Sequence, residues 1–257
     1  MDFDIVLIVL NSLNNLDKVL EKSFNIAKEL NANCEILYVE EKPLFDIKEV
    51  ISDTNFDKEE VKRKIENEVA KLTNKEIAIL VKIDDTPDRI WDIARDKKDI
   101  LIVTPYNKEV TPKVVNKCEQ SVYVLKSMAK KYENIALVAY SLDIDECIEF
   151  TKKHFGNIKE LLYNFLYTPY IDPIDPVTTM AIQENEILLQ TAQDEFNKIL
   201  KSNSLNGKLF INSFYEEMEL IEYLKGFDFS VICSKEDETL GTLDDILEKF
   251  EGDIFLK

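Results

Sequence analysis

Glycine is nearly missing from this chain. There are five in 257 residues, at positions 156, 207, 226, 241 and 252, and none before Gly156. A loop whose amides close around phosphates needs glycine, because a Cβ blocks the approach or forbids a positive-φ turn. The first half therefore carries neither a P-loop nor a G-x-G-x-x-G fingerprint. Histidine occurs once, as His154. A Ser-His-Asp triad, a Cys-His dyad and a histidine metal cluster would all have to share it, which argues against a hydrolase or transferase. His154 is expected in a last helical turn beside Phe155-Gly156, where it complements the dipole. No apolar run nears the ~20 residues of a membrane helix. Cys34, Cys118, Cys147 and Cys233 are scattered, with no C-x-x-C pair. That pattern points to a reducing cytoplasm and excludes the common zinc motifs. Met1-Asp2-Phe3-Asp4 lacks the basic stretch of a signal peptide, so a cytoplasmic protein is expected.

Positive charge is also scarce. Lys and Arg number 32 against 50 Asp and Glu, a balance of −18. Residues 1–130 hold 21 basic and 25 acidic side chains, and residues 131–257 hold 11 and 25, with no arginine. The halves thus carry −4 and −14. The second half would repel a nucleic-acid backbone or an anionic membrane, so neither is an expected partner.

What is present is a repeated alternation of strand-like and helix-like segments. Asp4–Leu10 is a continuous β-branched and leucine run, as in a strand buried on both faces of a parallel sheet. A helix through about Asn31 follows, capped by Asn14 or Asn15, with Leu16, Val19, Leu20, Phe24, Ala27 and Leu30 at helical spacing. Strands are expected at 35–39, 77–83, 99–103 and 121–125, and helices at 57–72, from Pro87, and at 110–118. The second half reads likewise. Its strands are expected at 134–139, 158–167, 209–211, 229–233 and 254–256. Its helices are expected at 143–154, 179–200 (with Ile182, Ile187, Leu189, Phe196 and Ile199), 215–224 and 243–250. Ser12-Leu13-Asn14 falls on Ser141-Leu142-Asp143, and Leu37-Tyr38 on Leu166-Tyr167, at one constant offset, as duplication produces. The expected fold class is α/β: two tandem Rossmann-like domains, residues 1–130 and 131–257. Each is a five-stranded parallel sheet with helices on both faces.

The strand ending in a polar cap (Val9-Leu10-Asn11-Ser12), the long loop after the second strand and Thr86-Pro87-Asp88-Arg89-Ile90 opening a helix resemble a tandem universal stress protein. So does the closing strand, short helix and strand of each half. The resemblance implies a stress-response protein acting by binding a protein partner or small ligand. It also implies that the two halves form an intrachain pseudo-dimer by pairing Ser121–Lys126 with Gly252–Lys257. ATP-binding members of the family carry G-x2-G-x9-G-[S/T] after the fourth strand. Here that place is Thr104-Pro105-Tyr106-Asn107-Lys108-Glu109-Val110-Thr111-Pro112 in the first half. In the second it is Ser234–Thr242, where only Gly241-Thr242 survives beside Glu236-Asp237-Glu238. The aspartate that nucleotide-binding relatives place after the first strand is replaced by Asn11 and Tyr140. The sequence thus resembles the family's non-nucleotide type, with no cofactor expected. The alternative is an ATP or AMP sensor, with weak or no ATPase activity, seated in the second half.

Ligands in open α/β sheets lodge at the carboxyl ends of strands. The candidate ligand-binding residues are therefore Asn11, Ser12, Tyr38, Thr104 and Tyr106, with Ser141, Gly241 and Thr242 in the second half. Asn11, Ser12 and Ser141 also read as helix caps, and Gly241-Thr242 as a turn glycine followed by a threonine N-cap. Cys34, Cys147 and Cys233 read as buried small hydrophobes, and Cys118, near a helix end, as the thiol to test for reactivity. Asp84-Asp85 and Glu236-Asp237-Glu238 could hold a divalent ion, but such separated acidic groups on loops read as solvated faces. The stiff segment Tyr167–Val177, with Pro169, Pro173 and Pro176, reads either as a partner-binding lip or as packing on its own domain.

Overall fold

A computed structural model of the chain describes residues 2–41, 56–97, 99–127, 129, 131–166, 178–212, 218–233 and 240–257. The loop around Pro43, the proline-rich segment 167–177, the start of the helix expected from Tyr215 and the acidic run 236–238 lie outside them. The chain divides into two compact units, Met1–Lys130 and Lys131–Lys257.

The first unit runs β1 (Ile5–Leu10), α1 (Leu16–Leu30), β2 (Asn33–Glu41), α2 (Lys58–Leu72), β3 (Ala78–Asp84), α3 (Thr86–Ala94), β4 (Ile100–Pro105), α4 (Thr111–Lys117) and β5 (Ser121–Leu125). Its strands pair in parallel in the order β3-β2-β1-β4-β5. Leu10 stands beside Tyr38 and Ile8 beside Val103, which fixes the register around the central strand. Val6 to Leu10 are all buried, as a strand covered on both faces must be. β3 is the edge strand and is only partly covered, with Leu80 exposed.

α1 is amphipathic, burying Leu16, Val19, Leu20, Ser23, Ile26 and Ala27. Phe24 and Leu30, expected on that face, lie at its margin. The hydroxyl of Ser23 is satisfied in the core by donating to Val19 O at 2.7 Å. Two asparagines take the place of absent glycines. Asn15 and Asn31 flank α1 in the left-handed region, at φ 52° and 55°. Asparagine tolerates that conformation better than other residues with a Cβ. At Asn31 the chain closes the helix by a Schellman turn, Asn31 N–H donating to Lys28 O and Ala32 N–H to Ala27 O at 2.9 Å.

The second unit runs β6 (Ile135–Ala139), α5 (Asp145–His154), β7 (Ile158–Leu166), α6 (Thr178–Asn203), β8 (Gly207–Asn212), α7 (Met218–Leu224), β9 (Phe229–Ile232), α8 (Leu240–Lys249) and β10 (Asp253–Leu256). Its strands are again parallel, ordered β10-β9-β6-β7-β8. The first strand of each unit is thus central, with the second and third on one side and the fourth and fifth on the other. The α/β class and the parallel, helix-flanked sheets expected from the sequence are what the structure has.

The core of this unit is aromatic. Phe229 stacks on Tyr132 with ring centroids 4.4 Å apart and meets Phe155 edge-on at 4.8 Å. Phe150 lies 5.1 Å from Phe255. One expectation fails here. Ile187, assigned to the core face of its helix, is 65% exposed, while Ala192 and Phe196 are buried. A long helix with apolar residues scattered around it does not reveal its inward stripe from spacing alone.

Candidate functional site

The strand order reverses at β1, between β2 and β4, and Asn11 follows β1 at that point. Its Nδ2 donates to Thr86 Oγ1 at 2.6 Å and to Val39 O at 3.4 Å. Thr86, wholly buried at the start of α3, donates its hydroxyl hydrogen bond to Glu41 Oε1, and the same oxygen accepts Thr86 N–H at 3.0 Å. A relay Asn11–Thr86–Glu41 thus ties the ends of β1 and β2 to α3. Asn11 Oδ1 is a buried acceptor with no partner among the described residues.

The other candidates of the first unit do not join this relay. The Tyr38 hydroxyl donates to Glu40 Oε2 at 2.9 Å, and its ring stacks near Phe56 at 6.1 Å. Burial first, and then Glu40, push its pKa above the usual phenol range. Thr104 is buried and donates to Pro105 O at 3.2 Å. Tyr106 packs under the Lys126 ammonium, 4.5 Å from its ring centroid. Ser12 Oγ accepts from Asn14 N–H at 3.1 Å. This corrects the reading of Asn11 and Ser12 as helix caps: Asn15 holds the cap position of α1, with no side-chain cap bond.

Several backbone amides at the carboxyl ends of these strands are already engaged. After β4, Asn107 Oδ1 accepts Glu109 N–H at 2.9 Å and Val110 N–H at 3.2 Å. Thr111 Oγ1 accepts Asn107 N–H at 2.8 Å, and Asn107 O accepts Thr111 N–H at 2.8 Å. Asp85 caps α3 through Asp88 N–H at 3.2 Å, and Asp57 caps α2 through Glu59 N–H and Glu60 N–H at 3.0 Å. Asp84 and Asp85, expected as a solvated face, are partly buried and structural. Asp84 Oδ2 accepts Arg89 Nε–H at 2.8 Å, and Asp92 accepts Arg89 Nη1–H at 2.8 Å. Lys117 pairs with Asp88. Among the described residues named here, carboxylates outnumber cations and oppose an incoming polyanion.

In the second unit, Ser141 lies in the bend after β6 and is not the cap of α5, a position that Ile144 holds. Gly241 and Thr242 fall inside the first turn of α8, which begins at Leu240, so Thr242 is not its N-cap. His154 ends α5 as expected, with its ring 4.8 Å from that of Phe150. Cys118 is buried at the C-cap of α4 rather than displayed. Burial raises the Cys34 thiol to about 11, against a smaller opposing pull from Lys75. Among the described residues, no group of three or more His, Cys, Asp and Glu is placed to hold a metal ion. Nor is any helix among them long and apolar enough to cross a membrane. Clefts of about 590 and about 620 Å³ lie beside α2, one against β3 and one against the start of α1. Neither is lined by a candidate residue.

Sequence reasoning missed Thr86, Glu41 and Asn107. The Asp84-Asp85-Thr86-Pro87-Asp88 run signals a helix start, but not that its threonine reaches back to Asn11. Asn107 carried a turn signal that went unread.

No protein-family model matches the chain, and no curated protein sequence matches it. Solved structures do. A protein of unknown function from Pseudomonas aeruginosa PAO1 is 11% identical and superposes with a TM-score of 0.65 over 99% of this chain and 92% of its own. A universal stress protein from Archaeoglobus fulgidus is 14% identical, with a TM-score of 0.60 over 98% and 95%. A Pseudomonas aeruginosa UCBPP-PA14 structure, also named for the universal stress proteins, is 11% identical, with a TM-score of 0.64 over 99% and 92%. The chain therefore has the universal stress protein fold along nearly its whole length. At such identities the likeness is one of fold.

Proposed function

We propose that this is a cytoplasmic stress-response protein that acts by binding, without catalysis and without a nucleotide triphosphate in its first unit. Its fold supports the general role. The observation that carries the specific reading is the Asn107 turn. The amides that a phosphate would recruit after β4 are spent on the chain's own carboxamide, hydroxyl and carbonyl groups. An anion there would have to displace them and face an acidic rim. The switch point instead offers the buried acceptor Asn11 Oδ1, suited to a neutral or cationic N–H or O–H donor or to a partner's side chain. Pairing of Ser121–Lys126 with Gly252–Lys257 within one chain belongs to the same proposal, since an uncovered edge of β-branched and aromatic residues invites aggregation.

The test is a thermal-shift titration with ATP and AMP, with and without magnesium, alongside mass spectrometry of small molecules released from freshly purified protein. No saturable shift and no co-purified adenine compound are expected. A saturable shift at micromolar nucleotide overturns the reading.

A further inference from the structure

Asn-Gly occurs once in the chain, as Asn206-Gly207, where α6 hands over to β8. The end of α6 closes at Ser204, whose φ is 54°, and Leu205 N–H donates to Leu200 O at 2.9 Å. Asn206 follows as an exposed residue, and Gly207, also exposed, opens the strand. The backbone carbonyl of Asn206 ties this entry to the sheet by accepting Leu161 N–H at 2.8 Å. Leu161 stands in register with Gly207. In a parallel ladder such a residue bonds to the neighbours before and after its opposite number, whose own N–H and C=O turn to the other side. The Gly207 N–H therefore points away from β7. β8 ends the strand order, so among the described residues no strand lies beyond it to take that proton.

Packing requires the glycine. A Cβ at position 207 would press on Leu161 O and sit 2.8 Å from Leu200 Cδ2 and 2.9 Å from Phe196 Cζ. The same missing Cβ leaves the Gly207 nitrogen open to approach by the side chain before it. Asparagine is among the thermolabile residues. Asn203 supplies the contrast: its Nδ2 donates to Ile199 O at 3.2 Å, and the residue after it, Ser204, carries a Cβ.

We propose that Asn206 is a site of spontaneous modification whose main product, an isoaspartyl link, loosens the free edge of the second unit. The Gly207 nitrogen gives its proton to hydroxide and attacks Asn206 Cγ. A C–N bond forms, the bond from Cγ to Nδ2 breaks, and Nδ2 takes a proton from water and leaves as ammonia. The product is a five-membered succinimide. Water then opens the ring at one of its two carbonyls. Opening at Cγ gives aspartate on the original backbone. Opening at the backbone carbonyl gives isoaspartate, with the chain rerouted through Cβ and Cγ. One amide nitrogen is exchanged for one oxygen, and nothing is oxidised or reduced. Either product adds negative charge to a unit already at −14. Only isoaspartate lengthens the backbone, and it turns the carbonyl that holds Leu161 N–H into a carboxylate off the chain. The attack needs Asn206 to leave its extended position, so it proceeds from the frayed first pair of β8.

The experiment ages full-length protein at 37 °C and pH 7.4 in oxygen-18 water and maps tryptic peptides over time. The peptide 202–208 contains both Asn203 and Asn206, and electron-transfer fragmentation locates the change and separates isoaspartate from aspartate. Asn206 should convert before any other asparagine, with solvent oxygen incorporated, isoaspartate as the larger product and a faster rate at pH 9. Hydrogen exchange reads the structural effect. Aged protein should lose protection at the Leu161 amide, whereas N206D, which has the charge without the extra backbone carbon, should keep it. Conversion of another asparagine ahead of Asn206, a Leu161 amide still protected once isoaspartate has formed, or equal loss of protection in N206D would each overturn the proposal. The wild-type map and exchange decide the matter even if the variant fails to fold.

Discussion

Replacing Asn107 by alanine tests the engaged-amide argument directly. The change removes the acceptor of two hydrogen bonds, from Glu109 N–H at 2.9 Å and Val110 N–H at 3.2 Å. Each net hydrogen bond is worth ~0.5–1.5 kcal/mol. Asn107 and Glu109 are exposed, so water takes over part of that role, whereas Val110 is buried. The expected loss is about 1 kcal/mol, the usual cost of removing a capping side chain. For a cooperative unit of this size that lowers Tm by roughly 3–5 °C. Asn107→Asp keeps the acceptor and adds negative charge where α4 begins, so it should match or exceed the parent. Differential scanning calorimetry of the three proteins is the assay. An unchanged midpoint in N107A would show that these amides are not held by Asn107, and would remove the main physical support for the nucleotide-free reading.

Gly252→Ala should be severe, because an added Cβ would sit 2.4 Å from Asp228 O and 2.6 Å from Phe250 Cζ. Forcing that much overlap costs ~1–3 kcal/mol or more, read as a lower urea midpoint, and a neutral result would contradict the close approach. Asn31→Ala should destabilise by ~1 kcal/mol while Asn31→Gly is neutral or stabilising, since φ 55° suits glycine; equal melts for both variants would refute the left-handed cap. The Cys34 thiol, at about 11 against an ordinary 9.0, holds its proton longer in the folded state than in the unfolded one. Its share of stability is therefore intact below pH 9 and is lost as pH rises through about 11. Melts at pH 8 and pH 11 should fall further for wild type than for C34S. Alkylation of Cys34 at pH 8 should run roughly 100-fold slower than for an ordinary thiol.

The class of fold was written in the chain's periodicities. Ile5–Leu10 reads as a fully buried strand because parallel strands covered on both faces need no alternation. The lack of any glycine before Gly156 by itself excludes a glycine-rich phosphate loop from the first half, since steric exclusion by Cβ acts locally. Where the pattern was weak, the sequence misled. Ile187 is exposed because an apolar residue on a long helix is buried only if a neighbour covers it.

Tertiary structure alone decided the rest. Asn11, Thr86 and Glu41 are far apart in sequence and meet only because β1 and β2 lie side by side and α3 begins over their ends. Tyr38 and Asn11 looked like one site, yet Tyr38 bonds Glu40 while Asn11 bonds Thr86. Composition and spacing act over a few residues and fix which elements form. Which side chains touch depends on how those elements are ordered in the sheet, and no local signal encodes that order.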